Sequence, residues 1–251
     1  MGGRFFSRIM PGLTFGRVLA GIFGLLVLAG IGAFGLQIFH YYRAIRSGDT
    51  NPLLEQRLES SFSRLRANTT VTAEDLKRLH PPTAPSFGNP EAKLVIVEFL
   101  DFDCPYCKES FPVVREMMER EKDRVYFIVR DFPVEELHPR ALSAALAARC
   151  AQDQGGFWPY HDKLFTDQDH HEDADLIRFA REIGLQQPAF TACLNDRRHA
   201  TQIQAEIADG LRAGVQGTPT FFFNGIKLQG ALNRQTFEFL VKKFLERPPL
   251  L

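Results

Sequence analysis

Apolar and polar positions divide the chain into an N-terminal apolar run, a mixed stretch, and a longer region of alternating strand and helix patterns. Val18 to Phe39 is polar only at Gln37. At a rise of ~1.5 Å per residue, a helix of this length crosses the ~30 Å hydrocarbon core of a bilayer. Arg4, Arg8 and Arg17 precede it, and His40-Tyr-Tyr-Arg43 follows as an interfacial aromatic and basic anchor. The expected order is a cytoplasmic N-terminus at 1–17 and a transmembrane helix at 18–39. Only the small arginine excess on the N-terminal side sets that orientation. The apolar run is longer than that of a signal peptide, and no small-x-small cleavage site closes it.

Residues 40–90 read as a helical and proline-rich spacer. Leu54, Leu58, Phe62 and Leu65 recur at helical intervals, and Thr72 with Glu74 and Asp75 opens a second short helix. His80-Pro-Pro-Thr-Ala-Pro85 then predicts an extended tether. A globular domain is expected over 91–247. Leu94–Leu100 is nearly all apolar, as in a strand covered on both faces. A helical pattern from Pro105 to about Glu121 and a strand at Val125–Val129 complete a right-handed, parallel βαβ unit. From about 139 to 213 the periodicity is helical throughout, as in an insertion. Val215–Phe223 returns to strand, Asn224-Gly225 is a strong hairpin signal, and Lys227–Gln229 is the return strand. Phe237, Leu240, Val241 and Phe244 line a last amphipathic helix. The class is α/β.

Composition removes some possibilities. The 251 residues hold 30 basic and 30 acidic side chains, so nothing points to nucleic acid or a strongly acidic partner. Four cysteines do not identify a compartment by number alone.

Their positions say more. Cys104-Pro-Tyr-Cys107 follows the first strand directly and opens a helix. At a helix start, unpaired N–H groups and the positive end of the macrodipole face the Cys104 sulfur, favour thiolate and make it reactive. Pro105 suits the first turn. Cys107, one turn on, points back and can close a small exchangeable disulfide. A zinc half-site has the same spacing but needs two more ligands. Cys150 and Cys193 stand singly, and the histidines show no matching spacing. No metal and no cofactor are expected. Glu98 interrupts the apolar strand and is either a buried proton acceptor or a solvated carboxylate. Pro219 heads a core-like strand, where it removes a ladder bond. A cis Thr218–Pro219 peptide would explain it, and an ordinary trans turn proline is the alternative. Cys150 and Cys193 fall on apolar helix faces, either as two buried thiols or as a disulfide.

Three stretches together resemble the thioredoxin superfamily and, within it, DsbA-like thiol:disulfide oxidoreductases. They are Glu98-Phe-Leu-Asp-Phe-Asp-Cys-Pro-Tyr-Cys107, Gly155-Gly-Phe-Trp-Pro-Tyr-His-Asp162 and Gly214-Val-Gln-Gly-Thr-Pro-Thr220. The resemblance runs from about Phe87 to Phe244 and implies a thioredoxin-like fold with a helical insertion. It implies Cys104 as nucleophile, Cys107 as resolving thiol and Glu98 as buried proton acceptor. Substrate would meet Thr218, cis Pro219, Pro105 and Tyr106. Some relatives bridge the positions of Cys150 and Cys193, which favours a structural disulfide there. The family often carries histidine where this chain has Tyr106, so a milder oxidant is expected.

The implied function is forming or exchanging disulfides in exported polypeptides, on the periplasmic side of the cytoplasmic membrane, anchored in the lipid bilayer through 18–39. A membrane or soluble redox partner would reset the cysteine pair. Two alternatives stay open: a reductase or isomerase using the same pair, and a non-catalytic module that binds extended peptides.

Overall fold

The computed structural model describes residues 15–47, 71 and 73–246. The helical stripe expected from Leu54 to Leu65 lies outside them. Two units separate near residue 55. The first contains helix α1, Phe15–Ser47, which runs beyond the expected 18–39 at both ends. Within it Gly21–Phe39 has a mean hydropathy of 2.2, long and apolar enough to cross a membrane.

The second unit begins, among the described residues, with α2 (Ala73–Leu79) and β1 (Ser86–Gly88). Then come β2 (Leu94–Leu100), α3 (Pro105–Glu121) and β3 (Val125–Asp131). Five helices follow: α4 (Ala141–Gln152), α5 (Phe157–Thr166), α6 (Asp173–Glu182), α7 (Gln187–Asn195) and α8 (Ala200–Arg212). The chain returns through β4 (Thr220–Phe223) and β5 (Ile226–Gln229) to α9 (Arg234–Glu246).

The sheet order is β1-β3-β2-β4-β5. β2 and β3 are parallel, and the other neighbouring pairs are antiparallel. Burial on both faces follows the two-residue period of the strands. Leu94, Ile96 and Leu100 of β2 join one core with Phe127, Phe221 and Phe223, while Val97, Phe99, Ile128 and Phe222 join the core on the other face. Each fully buried phenylalanine contributes about 1.5–3 kcal/mol of transfer free energy. The β4–β5 turn places Asn224 at φ 45° and Gly225 at φ 86°, left-handed positions that this residue pair tolerates and a two-residue hairpin requires.

The segment expected as an extended tether is part of the fold. Ser86–Gly88 pairs with β3, with Ser86 opposite Ile128. Val129 N–H donates to the Pro85 carbonyl (2.9 Å), and Trp158 Nε1 donates to the Ser86 carbonyl (3.0 Å). Leu79 and Ala84 are buried with Val97 and Phe222. The prolines do break helix, but the extended chain they leave is taken up by the exposed edge of β3, which needs partners for its backbone groups.

Candidate functional site

β2 delivers the chain to the site. After Leu100 it turns through Asp101-Phe-Asp103 to Cys104, which caps α3 with an extended backbone (φ −73°, ψ 122°), followed by Pro105 in the first turn. Cys104 and Cys107 are both free thiols and buried. Pro105 and Tyr106 between them are exposed. The cap therefore presents an accessible rim of Pro105 and Tyr106 beside two sulfurs that have little access of their own.

The two sulfurs differ through their surroundings. A hydrogen bond from Cys107 lowers the Cys104 pKa most; burial opposes it, while Thr218 and the backbone N–H groups of Cys107 and Tyr106 add to it. The result is a Cys104 thiol lowered to about 6. Burial pushes Cys107 well above the ordinary thiol range, and negative charge on Cys104 and Glu98 pushes the same way. One cysteine is thus a thiolate at neutral pH and its neighbour a proton-holding thiol.

Thr218 closes the opposite side. Its peptide bond to Pro219 is cis, and the Cys104 sulfur lies 3.3 Å from the Thr218 carbonyl, a bond that only the protonated thiol donates. The turn is held by Thr220 Oγ1 donating to the Gly217 carbonyl (2.6 Å) and Gly230 N–H donating to the Pro219 carbonyl (2.8 Å). Glu98 shares strand parity with Ile96 and Leu100, so it faces the core that contains Cys104 and Cys107. It is buried, and desolvation raises its carboxyl to about 8. At neutral pH it is a neutral acid under the cysteine pair.

Several residues that sequence reasoning did not single out hold the loop before Cys104. Asp101 is buried and accepts from Val134 N–H (2.9 Å), Asp103 N–H (2.8 Å) and His138 Nδ1 (2.7 Å). Gln168 Nε2 donates to the carbonyls of Phe102 (2.8 Å) and Cys104 (2.9 Å). His171 bonds Asp103 through Nδ1 and donates to the Leu164 carbonyl through Nε2 (3.0 Å). His138, Gln168 and His171 all come from the segment after β3, in the loops before α4 and between α5 and α6, so these loops fix the approach to the cysteines. The two aspartates flanking Phe102 were the only local sign of this.

The remaining pair lies elsewhere. Cys150 of α4 and Cys193 of α7 are disulfide-bonded, with an S–S distance of 2.00 Å and Cα atoms 5.8 Å apart.

The fold of the second unit has counterparts in known proteins. A thioredoxin-like oxidoreductase from Silicibacter pomeroyi superposes with a TM-score of 0.62 at 25% identity, covering 70% of this chain and 99% of that one. The thiol-disulfide exchange protein alpha-DsbA2 of Wolbachia pipientis has a TM-score of 0.59 at 21% identity, covering 77% and 99%. Among curated proteins, Na(+)/H(+) antiporter NhaA 3 of Salinispora tropica is 40% identical over 146 residues, which are 58% of this chain. The match spans only 22% of that antiporter's length. A family model described as Thioredoxin matches residues 80–243, so it starts within the segment that the sequence pattern assigned to the spacer. With that extent of match, the chain belongs to the thioredoxin family.

Proposed function

We propose that the chain is a thiol:disulfide oxidoreductase that forms or exchanges disulfides in exported polypeptides through Cys104 and Cys107. The observation that carries this reading is the division of labour between the two sulfurs: a thiolate at about 6 beside a buried thiol held far higher. Structural cysteines have no need of such a split, whereas exchange chemistry uses it directly.

In the oxidising direction a substrate thiolate attacks the Cys104 sulfur of the closed disulfide. The Cys104–Cys107 bond breaks, the Cys107 sulfur leaves with the electron pair, and it takes up a proton. Glu98, neutral at pH 7 and coupled electrically to Cys107, is the proton source in this reading. A second substrate thiolate then attacks the substrate sulfur of the mixed disulfide and expels Cys104 as a thiolate, a good leaving group because its pKa is low. Two substrate thiols become one disulfide, and the cysteine pair gains two electrons. A membrane or soluble redox partner removes them. Thr218, Pro219, Pro105 and Tyr106 form the ledge on which an extended substrate segment lies.

The domain works on the extracytoplasmic side of the cytoplasmic membrane, anchored through 18–39. The Cys150–Cys193 disulfide supports this placement, since such bridges persist in oxidising compartments.

The test is oxidation of a reduced, unfolded polypeptide by the oxidised protein, followed as loss of free thiols. Wild type should consume thiols stoichiometrically, and Cys104→Ala should fall to background. A wild type no better than Cys104→Ala, with reduced polypeptide bound but no thiols consumed, would overturn this reading and leave only the peptide-binding one.

A further inference from the structure

We propose that Cys150, Cys193, His199 and Asp153 form a tetrahedral Zn²⁺ site whenever the Cys150–Cys193 disulfide is reduced. The proposal is independent of the chemistry at Cys104 and Cys107. The donor atoms of Cys150, Cys193 and His199 lie within 4.8 Å of one another. Asp153, which ends α4, brings its Oδ2 to 3.0 Å from His199 Nε2 and 3.8 Å from the Cys193 sulfur. Metal–ligand distances of ~2.3 Å for sulfur and ~2.0–2.2 Å for nitrogen and oxygen put neighbouring donors of a tetrahedron ~3.3–3.8 Å apart. The Asp153–His199 and Asp153–Cys193 separations are near that spacing already, His199 lies within 4.8 Å of both sulfurs, and the sulfurs must move apart once their bond is gone. Their Cα atoms stay 5.8 Å apart, a span a shared metal also accepts.

The imidazole is oriented as in a metal site. His199 Nδ1 faces Gln202 Oε1 at 3.3 Å. Gln202 commits its Nε2 to Glu206 Oε1 at 3.3 Å, which leaves the amide oxygen as the acceptor for His199. A histidine ligand characteristically donates its second ring N–H to such a partner, leaving the other nitrogen for the metal. Nε2, the nitrogen left for the metal, is the one that faces Asp153 Oδ2. Both sulfurs are buried, whereas Asp153 is exposed and His199 partly so, giving an entry path from the surface. Arg198 Nη1, 3.6 Å from Asp153 Oδ2, occupies that entry, but its side chain is half exposed and free to swing away. The ligands come from α4, its C-terminal cap, α7 and the cap of α8, which is why no spacing motif displays them.

The chemistry balances. A dithiol reductant gives two electrons and two protons to the Cys150–Cys193 bond and closes to its own disulfide. Zn²⁺ then displaces both thiol protons to solvent and binds the thiolates. The same helices would be clamped in either redox state, by a covalent bond or by a metal.

The experiment uses the full chain carrying Cys104→Ser and Cys107→Ser, reduced with dithiothreitol, desalted without oxygen and titrated with Co²⁺ as spectroscopic probe, then with Zn²⁺. The expected result is one Co²⁺ per chain with the intense visible bands of a tetrahedral thiolate complex, displaced by Zn²⁺, and no such bands before reduction. His199→Ala should lose the tetrahedral spectrum, and Gln202→Ala, which keeps every ligand, should weaken binding by about 10–100-fold. Absence of tetrahedral bands in the reduced protein would overturn the proposal. So would unchanged affinity in both variants, or the same spectrum from the oxidised chain.

Discussion

Cys104 and Cys107 are the same side chain one helical turn apart, and their chemistry diverges because one caps the helix and the other is inside it. In the reduced protein the folded Cys104 thiol, at about 6 against an ordinary 9.0, stabilises the fold fully above pH 9 and loses that contribution as pH falls through 6. Alkylation of the reduced protein by iodoacetamide should accordingly rise with a midpoint near pH 6; a midpoint near 9 would remove the basis for the proposed nucleophile. A value of about 6 also lies between the roughly 7 of thioredoxin and the roughly 3.5 of DsbA. Equilibration with glutathione should return a potential between roughly −270 and −120 mV, tempered as expected for Tyr106 in place of histidine, and a value above −120 mV would contradict this. Glu98 has the opposite sign. Between its ordinary 4.5 and about 8 the folded chain keeps a proton the unfolded chain has lost, so stability falls as pH rises through that window. Glu98→Gln removes the penalty and should stabilise the chain at pH 8 by up to about 4 kcal/mol in urea unfolding, with little effect at pH 4. Cys104, Cys107, Thr218 and Pro219 were legible in the sequence because spacing and an out-of-place proline mark them. Asp101, His138, Gln168 and His171 were not, because their partners are tens of residues away and share no repeating interval.

Elements with strong periodicity were readable, and those made by tertiary contact were not. β2, α3, β3 and the β4–β5 hairpin announce themselves through apolar runs and the Asn224-Gly225 pair. β1 has three residues behind a proline-rich stretch and exists only because β3 offers an edge. The same limit hid a buried ionic cluster between β3 and the inserted helices. Arg149 of α4 meets Asp131 (2.5 Å) and Glu206 (2.9 Å), and Arg130 meets Glu206 (3.2 Å) and Asp209 (2.8 Å). Charged residues at such positions read as solvated from sequence, yet these arginines are almost fully buried. Burial raises Asp131 to about 6 despite Arg149, so the cluster is not a simple source of stability. α8 is seated on the sheet at Gly210, where an added Cβ would come within 2.9 Å of the Phe132 and Phe99 rings. Gly210→Ala should cost about 1–2 kcal/mol in urea unfolding, since rigid rings must shift by more than the gain in helix propensity offsets. A more stable variant would show that α8 can back away from the sheet.

At the scale of the whole chain, a helix long and apolar enough to cross a membrane precedes a thioredoxin-family unit. The unit has two faces of core, and the site sits where β2 ends, α3 begins and the Thr218–Pro219 turn approaches. The insertion contributes the histidines and glutamine that hold this junction and carries its own disulfide. Its loop spans a sequence separation of 43 residues, so the cross-link confines the unfolded chain substantially. All of this matters to function only if Cys104 reacts and Cys107 resolves. The most direct measurement is intact-mass analysis of Cys107→Ala after incubation with a disulfide-bearing unfolded peptide. The expected result is a stable mixed disulfide mapped to Cys104, one that wild type resolves and Cys104→Ala never forms. No adduct on Cys107→Ala, or an equal adduct on Cys104→Ala, would contradict it.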